Sequence, residues 1–456
     1  MPLLFLKERV IEMNHLWKFP LCLILVSLFC SFHASAMHFS DVPEDHWAYS
    51  DIAAMETRGI IEGSDGRFRP NAPVSNQAFL AMVCRASGMD DRALETRWSA
   101  APIMAYGRYL EWFSAEELTQ ENAGAPITRE FAAKLLVKAF FPEEIPCDSH
   151  LSFTDTRRIA HGHLDYVKIA VNQSLITGYS DGSFRPKGQL TRAAAAALLN
   201  RALEQTESSV SGPSMQIPIL MYHDISYLGH GYSKTPEQFH AQMLELKNAG
   251  FQSVTYQQLV DFVEQGTPLP EKPIVITLDD GYRSNYEYVF PILRELEMKA
   301  EISLIGGAIQ YSDWGMNWSE IQEMAESGVI SFQAHTYLMH SDQSAAGGQL
   351  GVLKAPQQSW SDYVEGLGTD TERILDTLEN RLGVRPIAFT YPRGKWNNLA
   401  EGLVTRLGCK VSVTTKEGIA YITVGDPSSL HLMDRIGMDF RNGSVINVLE
   451  QFGYQA

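Results

Sequence analysis

The chain has 456 residues, too many for one ordinary domain, so two or three are expected. Hydrophobic residues make up 45% and charged residues 20%, a globular composition able to bury a core. Lys and Arg number 37 against 54 Asp and Glu, a formal net charge of -17, which argues against a general nucleic-acid binder.

The first feature is a targeting segment. MNHLWKFPLCLILVSLFCSFHASAM (13–37) combines the basic Lys18, an apolar run from Leu21 to Phe32 and the small-x-small site Ala34-Ser35-Ala36. Residues 1–36 are therefore predicted to be a signal peptide, with translation from Met13 as an alternative start. The run is short for a membrane span, so an uncleaved anchor is the weaker reading, and a secreted protein without a transmembrane segment is expected. Cys22 and Cys30 would leave with the signal. Cys84, Cys147 and Cys409 remain, odd in number and scattered, which predicts buried free thiols rather than a disulfide framework or zinc knuckle.

Residues 37–204 carry a repeat. FSDVPEDHW (39–47), DGRFRP (65–70) and the amphipathic segment after Val74 recur as SFTD (152–155), DGSFRP (181–186) and TRAAAAALLNRA (191–202). Between them NAGAPITREFAAKLLVKAF (122–140) repeats only the last part. Three helical-hairpin units are predicted, about 37–88, 89–141 (degenerate) and 150–204. This region resembles the S-layer homology family. The resemblance implies non-covalent attachment to the bacterial cell wall, with a secondary cell-wall polymer or peptidoglycan as partner. It also implies polymer binding by Arg129 and Arg192, each after a Thr at a helix start, where a guanidinium and a helix N-terminus could grip an anionic sugar. Ser75-Asn76 lacks that arginine, and all-structural roles in solvating and capping the helices remain the other reading for the two that are present.

EQTESSVSGPSM (205–216) reads as a linker. Beyond it, strand-like runs PILMYH, PIVITLDD, AEISLIG, VISFQAH, PIAFTYP, CKVSVTT and LHLMDRIGM alternate with helical segments such as TPEQFHAQMLELKNAG and SDYVEGLGTDTERILDTLENRLG. Strands that alternate with helices predict parallel pairing in a barrel or wound sheet, with chemistry gathered at the strand C-termini. Three such ends carry ligand-type residues: Asp279-Asp280, His335 with His340, and His223-Asp224. One Asp and two His make a three-ligand site with open positions, the pattern of catalytic zinc, although cobalt, nickel and iron suit it too.

Taken in order, PILMYHDI, TLDDGYRSNYEYVFPILRE, GVISFQAHTYLMH, FTYPRGKWN and LMDRIGM resemble the polysaccharide deacetylases of the NodB-homology class (carbohydrate esterase family 4), in the branch of the poly-N-acetylglucosamine deacetylases. The resemblance spans 217–456 and implies an α/β fold, a distorted parallel (β/α) barrel behind the all-α repeat domain. It implies Asp280, His335 and His340 as ligands of a divalent metal, most simply Zn2+ (Co2+, Ni2+ or Fe2+ otherwise). It also implies Asp279 as general base, His223 as general acid and Tyr391-Pro392 as groove wall, with a backbone N–H near Tyr391 as oxyanion donor. Arg393 stands where the branch often has Tyr and is expected at the groove, where it could favour an anionic polymer. Thr390 stands where many members have the arginine that orients the base; Arg435 is the candidate to replace it, grouped with the substrate-binding residues, and a surface ion pair is its other reading. The implied activity is hydrolysis of N-acetyl groups on an N-acetylglucosamine-containing polysaccharide, peptidoglycan or poly-N-acetylglucosamine, at the cell surface. A non-catalytic wall-binding scaffold and an O-acetyl esterase on xylan-like polymers are the alternatives.

Overall fold

The structure, a computed structural model, describes residues 39–94, 99–144, 151–207, 212–309, 311–342 and 346–454. The signal segment, Cys147 and linker residues 208–211 lie outside them. Among the described residues no helix is long and apolar enough to cross a membrane, and Cys84 and Cys409 are buried free thiols.

Among the described residues, six α-helices form the repeat region: α1 (Tyr49–Thr57), α2 (Asn76–Ala86), α3 (Ala101–Tyr109), α4 (Arg129–Phe140), α5 (Leu164–Asn172) and α6 (Arg192–Thr206). The second helix of each pair starts alike, because Ser75, Thr128 and Thr191 each accept a backbone N–H three residues on. Just before those caps three segments of the chain, one from each unit, meet in a ring. Val74 N–H donates to Leu190 O (3.0 Å), Leu190 N–H to Ile127 O (3.1 Å) and Ile127 N–H to Val74 O (2.9 Å). The three units are thus arranged with pseudo-threefold symmetry, including the degenerate one.

The repeated motif has a physical reason. Asp41 accepts the N–H groups of Phe68 (2.7 Å) and Arg69 (2.8 Å), and Asp155 those of Phe184 (2.7 Å) and Arg185 (2.8 Å), so each Asp folds its Phe-Arg-Pro loop. The arginines at the helix starts then cross to the neighbouring unit. Arg192 donates to Phe68 O (2.8 Å) and Glu62 O (2.6 Å), and Arg129 to Phe184 O (2.9 Å) and Thr177 O (2.7 Å). Asn76 makes a smaller version, donating to Asn122 O at 2.9 Å. In both arginines Nε–H and an Nη2–H thus go to carbonyls of the next repeat, a structural part for each guanidinium, and Arg129 is only 8% exposed.

The C-terminal region is a closed parallel barrel of seven strands: β1 (Ile219–Tyr222), β2 (Pro273–Leu278), β3 (Ala300–Leu304), β4 (Ile330–Ala334), β5 (Ala388–Thr390), β6 (Val411–Glu417) and β7 (Met433–Gly437). Each pairs with the next in sequence, and β1 pairs with both β2 and β7, which closes the ring. Every residue of β2 and β3 is buried, as expected of parallel strands covered on both faces. Helices α7 (Pro236–Asn248), α8 (Tyr256–Gln265), α9 (Phe290–Glu295), α10 (Trp318–Glu326), α11 (Trp360–Leu382), α12 (Asn398–Arg406) and α13 (Val445–Gln451) surround it. At the barrel floor, Leu259, Val260 and Val263 of α8 pack on Ile219, Val275, Val411 and Val413. The end of the expected linker is itself structured: Ser214–Ile217 pairs antiparallel with Ala420–Thr423, and Pro218 separates this strand from β1.

The arginine straps should matter for stability. Arg129→Ala would leave two carbonyls at a closed junction without their charged donor, a loss on the order of 2–3 kcal/mol. Urea unfolding followed by tryptophan fluorescence should show it; a change within about 0.5 kcal/mol, as for an ordinary surface position, would mean the straps are dispensable.

Candidate functional site

All seven strands run the same way, so their C-terminal ends share one mouth. A cavity of about 440 Å³ opens there, lined by His223, Asp279, Asp280, His335, His340 and Arg393 among others. The segment after β2 bends sharply at the mouth. Asp280 has φ of 74° and Gly281 of 81°, both left-handed. A methyl group on Gly281 would also sit 2.5 Å from Leu304 Cδ2, so only glycine fits. The bend sends two neighbouring carboxylates to different places.

Asp280 meets the histidines. Nε2 of His335 and Nε2 of His340 each lie 3.3 Å from its Oδ1, and the two rings are 4.8 Å apart. That Oδ1 is buried and accepts no hydrogen bond. Thr390 O, at the end of β5, accepts His335 Nδ1–H at 2.7 Å, which turns Nε2 toward Asp280. Burial, reinforced by His335, lowers His340 to about 4, so its imidazole is neutral at ordinary pH. Asp370 of α11 accepts the N–H groups of Tyr337 and Leu338, both at 2.7 Å, and holds the loop between the two histidines. An orphaned carboxylate oxygen facing two imidazole nitrogens is the donor set a divalent transition-metal ion requires, and among the described residues this trio is the one cluster of that kind.

Asp279 turns into the barrel instead. Its two oxygens accept Arg435 Nη1–H (2.8 Å) and Nη2–H (2.7 Å), a two-pronged fork. Arg435 also donates to Thr414 O (2.8 Å) and Thr277 Oγ1 (3.1 Å) and is fully buried. Burial alone would raise the Asp279 pKa, but the Arg435 charge overrides it and holds the carboxyl well below its usual range. The grouping of Arg435 with substrate-binding residues is thereby corrected: it lies beneath the cavity, not on it, and is no surface ion pair.

His223, just past β1, donates Nδ1–H to Asp439 Oδ2 at 2.7 Å, and its backbone N–H reaches Asp439 Oδ1 at 3.1 Å. Burial opposes the charged ring, but the Asp439 bond and the nearby carboxylates raise its pKa to about 9. Asp439 was not singled out from the sequence, although it sits two residues past the end of β7, where strand-end logic applies equally. Asn285, in the π-helical turn after β2, donates to His223 O at 2.9 Å and was missed too. Asp224 does not join the trio; it is buried against Ser284 (2.5 Å) and His230 (3.0 Å).

The groove-wall expectations divide. Arg393 lines the cavity, with Nε–H on Ser341 O at 3.0 Å. Tyr391 and Pro392 are buried; the Tyr391 hydroxyl is spent on Glu401 (2.7 Å) and its N–H on Val413 O (3.1 Å), so that N–H is not free for an oxyanion.

Both regions of the chain are similar to known proteins. Residues 266–412 match the family model for polysaccharide deacetylase, and 38–77 and 152–196 match that for the S-layer homology domain. The chain therefore carries a polysaccharide deacetylase domain and two S-layer homology domains. It is 30% identical over 205 residues to YxkH of Bacillus subtilis (strain 168), a polysaccharide deacetylase by name, covering 45% of this chain and 66% of that one. It is 28% identical over 203 residues to the poly-beta-1,6-N-acetyl-D-glucosamine N-deacetylase of Escherichia coli (strain K12), covering 39% of this chain and 30% of that one. The match thus spans less than two thirds of these relatives' own lengths. The solved structure of Streptococcus pyogenes deacetylase PplD in complex with acetate aligns with 53% of this chain and 99% of that one, at 26% identity and a TM-score of 0.44.

Arg435→Met should be severe, because it strands the Asp279 carboxylate in the barrel. A loss on the order of 3–5 kcal/mol is expected from denaturant unfolding, and Arg435→Lys should recover only part of it, lacking the fork.

Proposed function

We propose that the protein is a metal-dependent polysaccharide N-deacetylase that works at the cell surface, releasing acetate from a polymer containing N-acetylglucosamine, with the S-layer homology repeats as its anchor to a wall polymer. The observation that carries this reading is the juxtaposition, in one cavity, of the Asp280–His335–His340 trio with Asp279 and His223. The named activity of the Escherichia coli relative supports poly-N-acetylglucosamine as a substrate class; peptidoglycan is the other polymer of the same chemistry within reach of a wall-anchored enzyme.

An acetamide is a poor electrophile with a poor leaving group. A divalent ion held by Asp280, His335 and His340 would acidify a water and polarise the acetyl carbonyl. Asp279 is ionised at every working pH because of Arg435, so it is always in the form that accepts a proton. The same pairing makes it a weak base, suited to a water that is already acidic. Its fork with Arg435 also fixes where its remaining lone pairs point. His223 is the acid: Asp439 occupies Nδ1, so Nε2 is the nitrogen left to carry a proton to the departing amine. Arg393 at the rim places a positive charge beside the cavity, which favours an anionic stretch of polymer.

Acetate release from a panel of poly-N-acetylglucosamine, peptidoglycan and acetylated xylan, read beside metal content, tests the proposal. Asp279→Asn should keep metal and lose about 10²–10⁴-fold in rate. Asp280→Asn should lose metal first. If excess metal rescues Asp279→Asn but not Asp280→Asn, the two roles are reversed; release from xylan esters alone would replace the amide reading with an esterase.

The pH profile gives a separate check on the acid. Asp439 raises the His223 pKa, so Asp439→Asn must lower it, and the protonated acid is then lost at lower pH. The alkaline limb of kcat/KM should move down by about 1–3 pH units. A limb that stays in place would remove His223 from the acid role.

A further inference from the structure

The repeat that departs most from its siblings is the one that meets the barrel. Helix α3 of the middle unit lies along α11, and Tyr109 fills the space over Gly368: a methyl group built there would fall 2.0 Å from Tyr109 Cζ. Gly402 of α12 is covered in the same way, its added methyl 2.7 Å from Met89 Cβ. Tyr106, fully buried, donates its hydroxyl to Gly402 O at 3.0 Å. Arg406, the last residue of α12, donates to the carbonyls of Lys138 and Ala139 near the end of α4, and its guanidinium stands 5.7 Å from the Trp112 ring. Trp112 and its neighbour Phe113, both buried, follow α3, in the stretch where the outer repeats carry their Phe-Arg-Pro loops.

The expected linker is tied on both sides. Glu207 pairs with Arg58 of the first repeat, and Ser214–Ile217 is a strand on the barrel. We propose that the middle repeat is a docking module: its departure from the repeat pattern built an interface to α11 and α12 that holds the catalytic mouth at a fixed attitude to the anchoring repeats. The consequence for substrate rests on the deacetylase reading above: a fixed mouth works on polymer beside the anchor, at high local concentration.

The test uses the full chain. In a free helix alanine is more stable than glycine, so Gly368→Ala and Gly402→Ala should each raise the melting temperature if their faces are open. The dock requires the opposite: each should lower it by several degrees, and Tyr109→Ala in the Gly368→Ala background should recover most of the loss. Gly368→Trp should part the domains, seen as a larger radius of gyration by small-angle scattering. Its acetate release from insoluble walls should fall at least about five-fold against wild type, while release from soluble oligosaccharides, which also reports a folded barrel, holds. A rise in melting temperature for both alanine variants, or an unchanged radius for Gly368→Trp, would overturn the dock. Wall activity that holds despite a larger radius would overturn the fixed-attitude role. Failure of the deacetylase reading looks different, with wild type releasing no acetate from either substrate; the thermal and scattering measurements decide the dock regardless.

Discussion

The ion pair between Asp279 and Arg435 sets the terms for the rest of the barrel. Both groups are removed from water, a cost of several kcal/mol per charge that only good geometry offsets. The geometry is good: two parallel hydrogen bonds join the pair, and Thr414 O and Thr277 Oγ1 take further guanidinium protons. The partners sit just after β2 and within β7, on either side of β1, so the pair ties the early strands to the last one across the point where the ring closes. With Asp279 drawn inward, the next residue must turn away. The left-handed conformations of Asp280 and Gly281 are that turn, and they deliver the second carboxylate to the histidines. One constraint thus separates a permanently ionised carboxylate from one whose oxygen is left without a protein donor.

Much of this was legible in the sequence, for identifiable reasons. Barrel strands such as ILMY (β1) and PIVITL (β2) are short, largely apolar runs, and burial on both faces makes such runs conspicuous. The mouth residues were legible because parallel strands put their C-terminal ends together, so polar residues directly after Leu278, Ala334 and Tyr222 had to converge. The Asp and Phe-Arg-Pro motif of the outer repeats showed because it occurs twice. What stayed hidden depends on pairings set by closure rather than by local pattern. Arg435 looks from the sequence like any charged residue in a strand; its burial follows from a carboxylate 156 positions away. Tyr391 looks like an exposed aromatic beside a proline, and only Glu401 on the following helix shows why it is turned inward. Arg129 and Arg192 can be placed at helix starts from the sequence, but the carbonyls each one meets belong to a neighbouring repeat that only the threefold ring brings close.

The same logic explains how the repeats and the site come to share an element. Helix α11 carries Gly368, which receives Tyr109 of the middle repeat, and two residues later Asp370, which holds the loop between His335 and His340. Successive helical positions are 100° apart, so residues two apart face largely opposite ways. One face of the helix therefore serves the dock and the other the loop between the two histidines. The surface that receives the dock needs glycine, the residue with the least helix propensity apart from proline. The cost of that choice in a 23-residue helix is tolerable because the helix is held from both sides by tertiary contacts rather than by propensity alone. Placing the interface on the helix that also braces the histidine loop means that the repeats and the mouth are positioned from a common reference, α11.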